Sequence, residues 1–407
     1  MNSAPSIPSG FAFASPDEAL AALCARIRPV ESERVALEEA AGRILAEPIR
    51  ADRPSPACDV SAMDGYAIRP EDLKPGCIPV AGDIAIGTPA PPVPTGAVLR
   101  IVTGASVPEQ ACAVIRREDC IERGPHIELT EASLSAVSKS ANIRRQGENC
   151  PAGTVITPAG TLLNPAAIAG LASVGAASPL LYRKVRLAIL VTGDEVLPTD
   201  ARAEPWQLRD SNGPALHAMF SRHAWIGPIV LRRVHDELDA LVETLRTELD
   251  GADAIICTGG VSMGQRDFVP AALREIGGQV VFHRLPQRPG KPVLAAVTAS
   301  GKPLLGLPGN PVSVLVTATR LALPALQARA GLSSRNPGSL VHIRNHDAAT
   351  LRLWWFRPVR LVAPAQVELL PTRGSGDIPS VAASHGFVQI PPGAAPDQPV
   401  EFYPWGE

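Results

Sequence analysis

The spacing of apolar and polar positions divides the chain into stretches of different texture. Ser15-Pro16-Asp17-Glu18 reads as a helix start, with Ser15 as N-cap, proline in the first helical position and a carboxylate three residues after the cap. Leu20, Leu23 and Ile27 follow at helical spacing, and Leu37, Ala41, Ile44 and Leu45 predict a second short helix over Val35–Leu45. From Ala51 to about Thr130, the β-favouring runs Val98–Val102, Ala113–Arg116 and Ile127–Leu129 sit between Pro/Gly-rich turns. Residues 141–182 return to a mixed texture with a short helix at Pro165–Val174.

The clearest stretch runs from Lys184 to about Arg329. Val185–Val191 is a nearly continuous apolar run, and Ile229–Leu231, Asp253–Cys257, Val280–His283, Val293–Val297 and Leu304–Leu305 are further strands. Helices are predicted between and after them at Ser211–Ser221, Asp236–Leu249 and Pro311–Leu326, with Asp236 placed to cap the second. Strands alternating with helices imply a mostly parallel sheet covered on both faces. Beyond Gly331 the alternation stops, and Val341–Arg344, Leu351–Phe356, Val359–Val362, Gln366–Leu370, Phe387–Ile390 and Val400–Tyr403 read as strands of a small barrel or sandwich. The expected fold is therefore α/β and multidomain. It has a central α/β domain at 183–330, a β-rich insert at 51–140, a helical and mixed linker domain made of 15–50 and 141–182, and a small C-terminal β-barrel at 331–407.

Composition narrows the classes. At 407 residues and 45% hydrophobic, the chain is long enough for several cores. Its 42 prolines and 34 glycines stay below the share that marks low complexity, so they punctuate many short elements. A formal charge of −2 and 4% aromatics argue against a nucleic-acid partner. No run of about 18 apolar residues appears, so no membrane span is expected. The seven cysteines are scattered without a CxxC pair and suit reduced thiols in a cytoplasmic protein.

Candidate chemistry lies where the predicted parallel strands end, since ligands of open α/β sheets bind beyond the carboxyl ends of the strands. Those ends carry Thr192-Gly193-Asp194-Glu195, then Thr258-Gly259-Gly260-Val261-Ser262-Met263-Gly264 with Asp267 behind it, then Gly306-Leu307-Pro308-Gly309-Asn310-Pro311 and Ser313. Glycine loops and a helix start supply backbone donors for an anion, with Asn310 as the expected cap and Pro311 in the first turn. Glu195 and Asp267 suit a hard cation such as Mg²⁺ bridging to phosphates, and Arg288 and Lys291 balance the charge. There is no dinucleotide fingerprint, P-loop or nucleophile elbow. In Ser61-Ala62-Met63-Asp64-Gly65-Tyr66-Ala67, spacing alone favours a hairpin turn at Asp64-Gly65, with an exposed functional carboxylate as the alternative.

Taken together, SAMDGYA, IVTGASVP, GENCPAGT, TGDE, RDSN, TGGVSMG, RPGKP, LPGNPVS and GSGDIPSVAASHGF occur in an order that resembles the molybdopterin molybdenumtransferases, the MoeA type related to the C-terminal part of gephyrin. The resemblance implies an enzyme that takes adenylylated molybdopterin and molybdate, releases AMP and inserts molybdenum into the dithiolene. It implies Asp64, Thr103, Glu195, Asp236 and Asp267 as catalytic positions. The mechanism expected from these residues is metal-assisted phosphoanhydride cleavage, with Mg²⁺ on Glu195 and Asp267, and Asp236 as an additional ligand. For the substrates it implies Asp210, Ser211, Asn212, Thr258, Gly259, Gly260, Ser262, Pro308, Gly309, Asn310 and Pro311. Arg288, Lys291 and Ser313, with backbone donors near Thr258, are the candidates for molybdate. A homodimer is implied, its site shared between the α/β domain of one subunit and the SAMDGYA module of the other, with molybdoenzymes or cofactor chaperones as further partners. Asn149, Gly213, Arg284 and Arg288 depart from residues common at their positions in the family. The alternatives are a non-catalytic molybdopterin carrier or scaffold and a molybdopterin adenylyltransferase.

Overall fold

The run Val185–Val191 is apolar at nearly every position because its strand is buried on both faces. In a computed structural model the strand is Val185–Thr192; Val185, Leu187, Ile189 and Val191 enter one core, while Ala188 and Leu190 enter another. The structure describes residues 10–406 except 136, 138–139, 263, 265, 334–337, 348 and 396–397, so Met263 lies outside the described residues. The chain forms two units: Met1–Glu47, Pro158–Ile168 and Ala177–Glu407 in the first, Pro48–Thr157 and Ala169–Ala176 in the second.

In the first unit a six-stranded sheet has the order Ile226–Val234, Val185–Thr192, Ala254–Thr258, Pro303–Leu307, Leu294–Val297, Gln279–His283. Its first four strands are parallel, and the last two join through antiparallel pairings. Helices Pro16–Cys24 and Asn212–Ser221 and the helical segment Pro311–Arg329 cover one face. Helices Leu238–Gly251 and Val269–Glu275 cover the other. The 19-residue segment Pro311–Arg329 is long and apolar enough to cross a membrane by length and composition, yet 67% of it is buried, with Val314, Ala318, Leu321 and Leu326 inside the first core. The predicted N-cap is formed: Ser15 Oγ accepts from Glu18 N at 3.1 Å.

Five strands close the C-terminal barrel in the order Trp354–Ala363, Gln366–Leu369, Ser339–Ile343, Val400–Pro404, Gly386–Ile390, with the last pairing back on the first. Closure leaves no open sheet edge around Val341, Val359, Val367, Val388 and Phe402. Two strands were expected over Leu351–Phe356 and Val359–Val362, but a single ten-residue strand runs through Pro358. Pro358 needs no amide proton there, and its carbonyl accepts from Leu370 N at 3.0 Å. Gln287–Arg288 adds a short parallel pairing to Trp354–Trp355 and so joins the α/β part to the barrel.

The helix expected over Val35–Leu45 does not form; only a 3₁₀ turn at Leu37–Glu39 does. Its backbone donors are used across the chain instead, Gly42 N on Leu163 O at 2.8 Å and Leu45 N on Thr161 O at 3.0 Å. The second unit holds a six-stranded sheet in the order Ala113–Arg116, Gly65–Ile68, Val98–Ile101, Gly76–Asp83, His126–Leu129, Ile121–Arg123. No hairpin turns at Asp64-Gly65. Val60–Ser61 pairs with Ile143–Arg144, whereas Gly65–Ile68 lies between two other strands. A side chain at position 65 would meet the Ile115 carbonyl at 1.9 Å, so the glycine serves close strand approach rather than a turn.

Candidate active site

The parallel strands Val185–Thr192, Ala254–Thr258 and Pro303–Leu307 end side by side, and their loops enclose a cavity of about 670 Å³. Its lining brings together Glu195, Asp236, Asp267, Asp210, Ser211, Asn212, Thr258, Gly259, Gly260, Ser262, Pro308, Gly309, Asn310 and Pro311. The loops are held by specific bonds. Asn212 Nδ2 donates to Thr258 Oγ1 at 3.0 Å and to Gly309 O at 2.8 Å, linking three motifs that are distant in sequence. Its buried Oδ1 has no hydrogen-bond partner among the described residues and is an acceptor for a ligand N–H. Gly259 has φ +91°, and a Cβ there would lie 2.7 Å from Thr192 Oγ1, so only glycine brings the backbone this close to the neighbouring strand end.

The carboxylates differ in environment. Partial burial pushes the Asp236 carboxyl up, the Asp194 hydrogen bond opposes this, and the Asp194 and Glu195 charges push it further up. Asp194 is held low by His235, whose Nδ1 is 3.1 Å from its Oδ1. Asp236 does not cap the helix behind it. That helix begins at Leu238 with Glu237 as N-cap residue, and Asp236 is left to line the cavity. Asn310 occupies the N-cap position before Pro311, but its side chain donates to Ser375 Oγ at 2.9 Å instead of capping. Asp210 is buried, and its Oδ1 accepts from Gly213 N at 2.8 Å at the start of the next helix. A side chain at Gly213 would meet Asp210 Oδ2 at 2.5 Å, which accounts for glycine at that position.

Arg288, Lys291 and Ser313 line a second cavity of about 730 Å³, which shares Pro292, Pro308 and Asn310 with the first. Sequence reasoning missed its other wall: Trp355, Arg357, Thr372, Arg373 and Ser375 come from the barrel. Spacing gave no signal for these residues, although Ser375 belongs to the GSGDIPS string. Among the described residues that line this cavity there are four cations and no aspartate or glutamate. Arg357 is paired with Asp347 at 2.6 Å and stacked over Trp355 at 4.3 Å.

Asp64 and Thr103 lie in the second unit. Asp64 Oδ1 accepts from Thr103 N at 2.7 Å and from Thr103 Oγ1 at 2.9 Å, which lowers the pKa of this exposed carboxyl.

A mixed α/β sheet with glycine loops and carboxylates at its parallel strand ends, in one chain with a β-rich unit and a small barrel, defines a multidomain α/β protein with a ligand site beyond its strand ends. Residues 188–328 match the family described as a probable molybdopterin binding domain, and residues 14–175 match the MoeA N-terminal region, domains I and II. The chain is 35% identical to the molybdopterin molybdenumtransferase of Nostoc sp., over 78% of this chain and 74% of that protein. It is 30% identical to that of Staphylococcus epidermidis, over 89% and 88%. The structure of the molybdopterin biosynthesis MoeA protein of Pyrococcus horikoshii superposes with a TM-score of 0.77 at 27% identity, covering 97% of this chain and 99% of that one. The chain belongs to the molybdopterin molybdenumtransferase family.

Proposed function

We propose that the two adjoining cavities divide the two substrates of one reaction, adenylylated molybdopterin in the carboxylate-lined cavity and molybdate in the cationic one. AMP is released and molybdenum enters the dithiolene. The observation that carries this reading is the charge balance of the two: Glu195, Asp210, Asp236 and Asp267 outnumber Arg209 and Arg266 in one cavity, Arg288, Lys291, Arg357 and Arg373 line the other, and the two share Pro292, Pro308 and Asn310. An all-oxygen donor set without histidine or cysteine fits Mg²⁺. Among the described residues no three such groups converge on one point, which suits an ion that takes one or two carboxylates and completes its shell with water and phosphate. One or two of Glu195, Asp267 and Asp236 would hold it, and it would neutralise charge on the phosphoanhydride oxygens.

The chain's own groups do the rest. Backbone donors at Gly259, Gly260 and Gly309 cradle the phosphates, while Asn212 Oδ1 accepts from a ring amine. Arg288, Lys291 and Ser313 hold the molybdate oxygens, Arg373 adding a bidentate fork. Asp64, kept ionised by Thr103, orients the attacking oxygen, and in our reading it serves the cavity of a second subunit. We retain the division into domains at 15–50 with 141–182, 51–140, 183–330 and 331–407, and a cytoplasmic setting.

The test is incubation of the purified chain with adenylylated molybdopterin, molybdate and Mg²⁺, with AMP followed by chromatography. Molybdate-dependent AMP release is the expected result. Tight pterin binding without AMP would favour the carrier, and formation of the adenylylated compound from molybdopterin and ATP would favour the adenylyltransferase.

A further inference from the structure

The segment ahead of the first helix makes a contact that the site as described does not use. Phe11 presents its ring to two cations of the loop at the cationic cavity, with Lys291 Nζ 5.6 Å and Arg284 Cζ 5.8 Å from the ring centroid. Both lie inside the range of about 6 Å over which a ring face attracts a cation. The segment is anchored immediately after this contact, between Phe11 and the first helix. Phe13 meets Phe282 edge-on at 6.2 Å, and Ala14 O accepts from Trp354 Nε1 at 3.1 Å. The loop has a closed neck, with Arg284 N on Val293 O at 2.9 Å and Leu285 N on Lys291 O at 3.0 Å. Arg284 itself holds φ +76°, a left-handed conformation that a non-glycine residue keeps only where its surroundings enforce it.

We propose that Phe11 is a positioning residue for anion binding in the cationic cavity, holding the Lys291 ammonium in place without neutralising it. The inference rests on the reading of that cavity as the molybdate site. A lysine has a long flexible stem, and ordering it on ligand capture opposes binding. A carboxylate at position 11 would also order it, but would cancel its charge and compete with the incoming oxyanion. A ring attracts the ammonium through its quadrupole and carries no net charge, so the lysine stays available to the anion. This fits a cavity whose described lining residues include four cations and no aspartate or glutamate.

Calorimetric titration of the full chain with sodium molybdate tests this, using the wild type, Phe11→Leu, Phe11→Trp, Lys291→Ala and the Phe11→Leu/Lys291→Ala double variant. Phe11→Leu keeps an apolar side chain and is expected to weaken molybdate binding about 3- to 10-fold. Phe11→Trp restores the ring and should stay near the wild type. In the Lys291→Ala background the Phe11→Leu change should add little. The inference is overturned if Lys291→Ala weakens molybdate binding while Phe11→Leu does not. It is equally overturned if Phe11→Leu acts alike in both backgrounds, which is the mark of a packing effect. If the wild type binds no molybdate, or Lys291→Ala leaves the affinity unchanged, the cavity reading itself falls, and this inference with it.

Discussion

Replacing Asp253 by asparagine removes one negative charge from the bottom of the α/β sheet, at the end of the Ala254–Thr258 strand opposite its glycine loop. Asp253 is 1% exposed. Its carboxylate accepts from Arg183 at 2.6 and 2.8 Å, from Arg186 N at 3.0 Å and Nε at 3.1 Å, and faces Arg329 Nη2 at 3.5 Å. Burial alone would raise its pKa, but the hydrogen bonds from Arg183 and Arg186 outweigh burial and hold it well below the usual carboxylate range. Arg183 and Arg186 keep partial contact with water, whereas Arg329 is buried and would lose its ionic partner. Breaking a buried pair from one side costs about 3–5 kcal/mol, or about 6–20 °C in melting temperature for a domain of this size. Since the folded-state pKa is depressed, the stabilisation is complete above the unfolded value of about 4 and is lost as pH falls toward the folded one. Thermal unfolding by circular dichroism at pH 7 and at stepwise lower pH should therefore show a deficit for Asp253→Asn that shrinks below about pH 4. A variant melting within about 2 °C of the wild type at pH 7 would refute the reasoning, as would a deficit that ignores pH.

Gly259→Ala forces a left-handed residue and a Cβ 2.7 Å from Thr192 Oγ1, so the loop must move. A penalty of about 1–2 kcal/mol corresponds to about 5- to 30-fold weaker binding of the adenylylated substrate, measured by competition, and unaltered affinity would count against the loop as a phosphate cradle. If the site is shared between two subunits, mixing Asp64→Ala with Glu195→Ala after reversible dissociation should restore AMP release to about a quarter of the wild-type rate, since half the dimers are mixed and each carries one intact site. No recovery on mixing would argue for sites complete within one chain.

Much of the α/β domain was legible because burial on both faces writes a continuous apolar run, and the strand-end loops carry glycines and carboxylates that few structural roles demand. The carboxylate cavity followed from topology, since parallel strands must end together. The cationic cavity did not. Arg288 and Lys291 were visible beside the glycine of RPGKP, but Arg357 and Arg373 reach it from a barrel about 70 to 85 residues later, and no periodicity links a loop to a strand of another domain. Local signals failed where tertiary bonds took over the same groups. Asn310 has the right residue type and position for a cap, yet Ser375 occupies its amide. Asp236 sits where an N-cap is plausible, but the helix begins two residues later. Val35–Leu45 has helical spacing, yet its donors pair with the strand-like segment near Leu163.

The division of labour between the two cavities is tested most directly by two variants in two assays, AMP release at saturating molybdate and molybdate binding by calorimetry. Glu195→Ala is expected to slow AMP release by about 100-fold or more and to leave molybdate affinity at the wild-type value. Arg373→Ala is expected to weaken molybdate binding and to recover AMP release as molybdate is raised. AMP release by Glu195→Ala at the wild-type rate, or equal loss of molybdate affinity in both variants, would contradict the account.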